Sequence, residues 1–277
     1  MNYLKGKVAL ITGGAGGIAR EIAGLLEDQG VTVALTDINL RGLRAASANL
    51  KNKPFIIPCD ITRSAAVAGM VRKVRRKLGR IDMLINTAGI IVPGPFEEAR
   101  IADIELQVRV NLVGAMIAIR ETLPFIRESE GGAIVTISSM AGIVPETYSA
   151  VYTATKYALR GLGLTLNLEL KRHKIHVATV FPDSVDTPML RYEAAHGGSP
   201  LTFLSAPQQP VDVARAVLRA IVKRKAEVYV PASTGFFSRI VTVWPRLVLA
   251  VWPTLERMGS RNKAKILKNF ELEREKR

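Results

Sequence analysis

The chain has 277 residues, 48% hydrophobic and 23% charged, enough apolar content for one large globular domain and too much for a disordered chain. Its 22 glycines and 14 prolines follow no repeat, which excludes fibrous, low-complexity and solenoid architectures. The net charge of +15 attracts phosphates, acidic lipid headgroups, nucleic acid or acidic carrier proteins without choosing among them.

Two lysines precede the apolar run 8–12. The run breaks at Gly13 too early for a signal peptide and reads as a buried parallel strand entering a glycine turn. Ile18, Ile22, Leu25 and Leu26 then form one helical stripe over 18–29, stopped by Gly30, and a strand follows over 31–36. The alternation continues as strand 55–58, helix 64–78, strand 83–86, helix 103–123, strand 133–138, helix 152–171, strand 176–181, helix 212–224 and strand 227–230. Such regular alternation predicts an α/β fold, a doubly wound and mostly parallel sheet with helices on both faces. It spans residues 1–233 as a single domain and leaves 234–277 as a C-terminal extension, apolar and then basic.

Two stretches stand outside this pattern. Segment 189–210, with Gly197, Gly198 and three prolines near its end, is too long and irregular for an ordinary connection and is expected to be a lid. The extension carries Phe236, Phe237, Trp244 and Trp252, but Arg239, Pro245, Arg246 and Pro253 interrupt any membrane span. Burial in a homo-oligomer or over a pocket is the favoured reading. Peripheral contact of 236–268 with a bilayer, with Lys263, Lys265 and Lys268 near anionic headgroups, is the other.

Thr12-Gly13-Gly14-Ala15-Gly16-Gly17-Ile18-Ala19 joins a strand to a helix, where a dinucleotide pyrophosphate meets unpaired backbone N–H groups and the positive helix end. The fold is thus of the Rossmann type. Asp37, ending the second strand, is placed to accept hydrogen bonds from both adenosine ribose hydroxyls and to repel a 2′-phosphate, so NAD is favoured over NADP. Asp60 either accepts from the adenine amino group or caps the helix beginning near Ser64. Asn86-Thr87-Ala88-Gly89 ends the fourth strand with small residues that leave room for a cofactor.

Tyr152 and Lys156 share a helix face, so the ammonium is expected to stabilise a tyrosinate, lower the phenol pKa and make it a general acid/base. Such a pair is common by chance, as Tyr3 and Lys7 show. Ser139 follows the strand 133–138 and emerges at the carboxyl edge of the sheet, where ligands of such folds bind. With the glycine turn, Asp37, Asp60, Asn86 to Gly89, Asn111, Ser138-Ser139 and Pro182 to Thr187, these residues make the chain resemble the short-chain dehydrogenase/reductase family over roughly residues 5–231.

The resemblance implies an oxidoreductase. In it Tyr152 exchanges the hydroxyl proton, Ser139 hydrogen-bonds the substrate oxygen, Lys156 also binds the nicotinamide ribose, and Asn111 holds a water in the proton relay. It further implies that Gly13, Ala15, Gly16, Gly17, Ile18, Asp37, Asp60, Ile61, Asn86, Ala88, Gly89, Tyr152, Lys156, Pro182, Val185 and Thr187 bind the cofactor. Family members commonly assemble through sheet-flanking helices, so a homodimer or homotetramer is expected. Two positions depart from the family pattern: Thr87 stands where asparagine is frequent, and Asp183 where glycine is usual, beside the nicotinamide.

No metal is required by this chemistry, and His173, His176 and His196 read as surface or loop residues. Cys59 reads as a small buried residue and makes no internal disulfide, in keeping with a reducing cytoplasm. No nucleic-acid motif accompanies the dispersed basic residues. Met189, Leu190, Tyr192, Leu201, Phe203 and Leu204 are expected to line the site, which suggests a hydrophobic secondary alcohol or ketone, sterol-like, acyl or aromatic. The alternative is a catalytically silent NAD-binding scaffold for a membrane or carrier protein.

Overall fold

The computed structural model describes residues 3–129 and 131–275, without the side chains of Phe236, Phe237 and several others of the extension. Seven parallel strands form one sheet in the order β3-β2-β1-β4-β5-β6-β7. Chain order gives β1 (Val8–Thr12), α1 (Gly17–Asp28), β2 (Thr32–Asp37), α2 (Leu40–Ala48), β3 (Phe55–Pro58), α3 (Ser64–Leu78) and β4 (Met83–Asn86). Then come α4 (Ile101–Val108), α5 (Ala115–Arg127), β5 (Ala133–Ile137), α6 (Ala150–Glu169), β6 (His176–Pro182), α7 (Pro188–Ala195), α8 (Pro210–Val222), β7 (Glu227–Val230), α9 (Ala232–Val243) and α10 (Pro245–Glu275).

Strand residues serve two cores by alternation. Ala9, Ile11, Leu35, Ile85, Val135 and Val180 meet Ile22 and Leu26 of α1 and Val213 and Val217 of α8 on one face. Leu10, Leu84, Ile134 and Val177 meet Val67 and Val71 of α3 and Ala118, Ile119 and Ile126 of α5 on the other. Each such Leu or Ile contributes about 2 kcal/mol by leaving water. At the opposite edge from the ligand end, the fully buried Asp82 accepts the Val8 N–H at 2.8 Å and a two-pronged Arg80 contact at 2.8 and 2.6 Å, fixing the entry of β1.

Register places polar residues in a row at the carboxyl edge. Thr12 lies opposite both Thr36 and Asn86, and Asn86 opposite Thr136. The strand order reverses between β1 and β4 at this edge, which opens the crevice used by ligands in doubly wound sheets.

Three expectations are corrected. The helix foreseen over 103–123 is α4 and α5 joined by a wider π turn, Arg109–Gly114, whose extra residue per turn re-aims side chains. Segment 189–210 is not irregular throughout: α7 and a tight 3-10 turn at Pro200–Phe203 occupy half of it. His176 is neither on the surface nor in a loop, but is buried at the start of β6 with Nε2 3.1 Å from the Ala220 carbonyl.

The extension is helical and packs on its own subunit. Its second half lies across the 3-10 turn and α7. Asn262 donates to the Leu204 carbonyl at 3.2 Å, Lys263 to the Gly198 carbonyl at 2.9 Å, and Ile266 and Leu267 pack with Phe203 and Leu190. Among the described residues no helix is long and apolar enough to cross a membrane.

Candidate active site

The glycine turn is shaped by close approach. Gly13 has φ +66°, and a Cβ there would lie 2.7 Å from the Ala88 nitrogen, so only glycine lets the turn touch the end of β4. Thr87, the departure noted in the sequence, donates its hydroxyl to the Thr12 carbonyl at 2.6 Å and ties the same two strands together. The helix α1 begins after Gly16 with no side-chain cap, leaving first-turn amides for an anion. Asp37 closes the other side of the crevice, its carboxylate accepting from Ala15 N at 3.2 Å and Asn39 N at 2.9 Å.

These residues fit a dinucleotide. Asn86 Nδ2 and Thr36 Oγ1 are buried at this edge without a protein hydrogen-bond partner, a state that costs free energy unless a ligand meets them. Asp60 does not cap α3, whose N-cap is Arg63. Its Oδ1 instead accepts from Thr62 N at 2.9 Å and Thr62 Oγ1 at 2.7 Å, bonds that hold its carboxyl below the usual range. Ile61 packs against Gly114 of the π turn, where a Cβ would come within 2.9 Å of it. Cys59 is buried, and burial followed by Asp60 pushes its thiol up, away from reactivity.

The chemical residues converge from three elements, the π turn, the end of β5 and α6. Asn111, fully buried in the π turn, accepts from Ile90 N at 2.8 Å and donates to Ile90 O at 2.9 Å and Thr155 Oγ1 at 3.2 Å. It thereby locks the loop after β4 to α6. A Cβ on Gly89 would stand 3.4 Å from Asn111 Oδ1 and 3.6 Å from Lys156 Nζ. Lys156 Nζ donates to the Ile137 carbonyl at 3.1 Å and lies 5.3 Å from the Tyr152 ring centre. Ser138 is buried at the strand end, donating to the Lys156 carbonyl at 3.0 Å, whereas Ser139 Oγ takes the Ala141 N–H at 3.1 Å and lines the same cavity as Tyr152.

Tyr152, Lys156 and Ser139 share a cavity of about 120 Å³ with Ile18, Gly89, Pro182, Val185 and Thr187. Thr187 caps α7, accepting from Leu190 N at 3.4 Å. Asp183 has no left-handed backbone and its N–H bonds the Val230 carbonyl at 2.8 Å, so the chain path beside the cavity does not need the usual glycine.

Two sequence expectations fail here. The phenol of Tyr152 is raised rather than lowered, first by burial and then by Glu146 and Glu193, against the Ser139 hydrogen bond. Burial alone pulls Lys156 down to about 8. Of the six apolar residues expected as lining, only Met189 and Leu190 reach the cavity. Phe203 is buried under α10, and Tyr192 stacks on His196 at 4.0 Å. Glu146, Asp183, Ser184, Glu193 and Thr202 line the cavity instead. Of these the sequence singled out only Asp183, as a departure beside the nicotinamide, because isolated acids such as Glu146 and Glu193 in a loop or on a short helix read as solvated.

A family model described as short chain dehydrogenase matches residues 7–197. The chain is 31% identical over 209 residues to a 3-beta-hydroxysteroid dehydrogenase of Comamonas testosteroni, covering 75% of this chain and 82% of that one. It is also 31% identical over 185 residues to a human 3-oxoacyl (acyl-carrier-protein) reductase, covering 67% and 78%. The solved ligand-free aldohexose dehydrogenase of Thermoplasma acidophilum matches with a TM-score of 0.72 at 26% identity, over 82% of this chain and 93% of that one.

Proposed function

The chain belongs to the short-chain dehydrogenase family of oxidoreductases acting on CH–OH and C=O groups, and we propose that it transfers hydride between NAD(H) and a secondary alcohol or ketone. The observation that carries this reading is the convergence of Ser139, Tyr152 and Lys156 on one cavity beside the glycine turn. Family members take a nicotinamide cofactor, which when bound supplies the hydride acceptor or donor. Gly13 to Ile18, Asp37, Asn86 and Gly89 would hold it, with Lys156 and Thr187 at the reacting end. The carboxylate of Asp37 favours free ribose hydroxyls over a 2′-phosphate.

In oxidation Tyr152 Oη, as the phenolate, takes the proton of the carbinol O–H bond while the carbinol C–H bond breaks with its electron pair leaving as hydride to the bound cofactor, and the C=O bond forms. In reduction the same phenol returns the proton. Ser139 Oγ donates to the substrate oxygen in either direction and holds it at the phenol. Lys156, anchored on the Ile137 carbonyl, places a cation beside the phenol that favours its ionised form. Burial favours the protonated phenol, the form that reduction consumes.

The apolar side of the cavity, Ile18, Ile137, Val185, Met189 and Leu190, suits a hydrocarbon skeleton. The packing of 256–267 on the turn at Pro200–Phe203 supports a cover over this subunit's own pocket. Lys263 is engaged there rather than free for headgroups, whereas Val243, Trp244, Val251 and Met258 are exposed, as are Lys265 and Lys268.

The test is NAD and NADP reduction with a panel of apolar secondary alcohols, comparing the parent with Tyr152→Phe. The variant should lose 10²- to 10⁴-fold in kcat, the usual worth of a positioned acid/base, while still binding NADH. Equal turnover by both proteins removes Tyr152 as proton carrier. Turnover by neither favours a silent nucleotide-binding scaffold.

A further inference from the structure

The cavity beside Tyr152 has a polar wall that the proton-transfer chemistry does not use. Glu146 comes from the loop before α6, Asp183 and Ser184 from the segment after β6, Glu193 from α7 and Thr202 from the 3-10 turn, and all five line the same space. Ser184 is only 5% exposed and its Oγ has no hydrogen-bond partner within the protein, so a buried hydroxyl faces the cavity unsatisfied. Buried polar groups are almost always paired, and one left over at a cavity marks the place of a ligand atom.

The acids are built in, not incidental. Glu193 is 6% exposed, and its Oε1 accepts from Thr202 Oγ1 at 2.9 Å. Gly198 N–H binds the Glu193 carbonyl at 2.9 Å, and a side chain at 198 would collide with Glu193 Cγ. Asp183 is held by Ser184 N at 2.9 Å and Ser205 Oγ at 3.3 Å. Around Glu146 every influence raises its pKa: burial, Glu193, then Asp183. Lys263 opposes this only at Glu193, and Lys156 is committed to Ile137 and Tyr152. Glu146 and Glu193 line the same cavity as Tyr152, and both act on its phenol.

We propose that Glu146, Glu193 and Ser184 form a specificity subsite that accepts hydrogen bonds from a donor-bearing end, a hydroxyl or an ammonium, of the alcohol whose carbinol meets Tyr152. The proposal rests on the oxidoreductase reading and sharpens its substrate class: an apolar skeleton with a second, donating polar group. A site built to hydrogen-bond a substrate group rejects the analogue lacking it, because its own buried acceptors are then stranded.

The experiment uses the full chain with NAD and three matched cyclohexanols carrying a methyl, a hydroxyl or an amino group across the ring from the carbinol. The parent should prefer a donor-bearing compound to the methyl one by at least about tenfold in kcat/KM. Glu146→Gln, Glu193→Gln, Glu146→Met and Glu193→Met, each checked by melting and by NADH fluorescence, separate the two donors. Compression of the ratio by glutamine for the amino compound assigns an ammonium, because glutamine keeps an acceptor but loses the charge. Compression by methionine alone, which removes the acceptor as well, assigns a hydroxyl.

The same compounds are titrated by calorimetry into Tyr152→Phe with NADH bound. Preferential binding of a donor-bearing compound without turnover by the parent supports the subsite and sinks the redox reading. Turnover with no preference, a preference for methyl, a ratio unmoved in all four variants, or binding of none of the three overturns the subsite.

Discussion

Glu193 carries its carboxyl on the inner face of α7, and burial pushes its pKa to about 7 against the Thr202 hydrogen bond and the Lys263 charge. The folded value lies above that of the unfolded chain, so the native state holds the proton more tightly. The associated stability is full below pH 4.5 and is lost as pH rises through 7, on the order of 3 kcal/mol in all. Glu193→Gln should therefore show a flatter fall in urea stability between pH 5 and pH 7.5 than the parent. Asp183, also raised, titrates in both proteins and drops out of the difference, whereas Glu146, raised in part by Glu193, loses that part in the variant and flattens the fall in the same direction. A parallel pair of curves would mean that Glu193 is already charged in the fold. Residues such as Ser139, Tyr152 and Lys156 were legible in the sequence because their chemistry is tied to spacing along one strand end and one helix. The direction of the Tyr152 shift was not, since Glu146 and Glu193 reach the phenol from segments six positions before it and 41 positions after it.

At the scale of elements, α10 decides how firmly the cavity wall is held. A Cβ on Gly259 would lie 2.0 Å from the Pro200 carbonyl oxygen, so the helix rests on the 3-10 turn through bare backbone. Gly259→Val should lift α10 from this turn and cost about 1–3 kcal/mol as overpacking. Hydrogen exchange over 188–204 should quicken at least tenfold, while exchange in β1 and α1 stays as in the parent. Unchanged protection over 188–204 would show that α10 does not brace the wall. The strands and their flanking helices were readable because buried parallel strands are continuous apolar runs. Segment 189–210 was misread because Gly197 and Gly198 signal irregularity, whereas Gly197 at φ +81° terminates α7 and Gly198 returns its N–H to Glu193. The short α2 went unread because Leu40–Ala48 buries only Leu43 and Ala46.

For the whole molecule, the net charge of +15 makes any assembly of identical subunits self-repelling at low ionic strength. The helices α4, α5 and α6 nevertheless expose Ile101, Leu106, Met116, Leu164 and Leu168, the last 76% accessible, and the π turn between α4 and α5 exposes Val113, on the side of the sheet away from α1 and α8. An apolar surface of this extent on three neighbouring helices fits association between copies better than a monomer in water. Sedimentation at micromolar concentration should find a dimer or tetramer, and raising the salt from 0.05 to about 0.5 M should strengthen it by screening the repulsion. Leu106→Glu combined with Met116→Glu should give monomers with an unchanged circular dichroism spectrum, since both side chains lie on the helix surface. Monomers at every salt concentration in the parent protein would instead leave this face to a different partner. The charge that would oppose assembly was plain from composition, but the particular face that would have to overcome it was not: these apolar residues sit on elements whose other sides face the core, and only the packing of α4 to α6 separates the two sides.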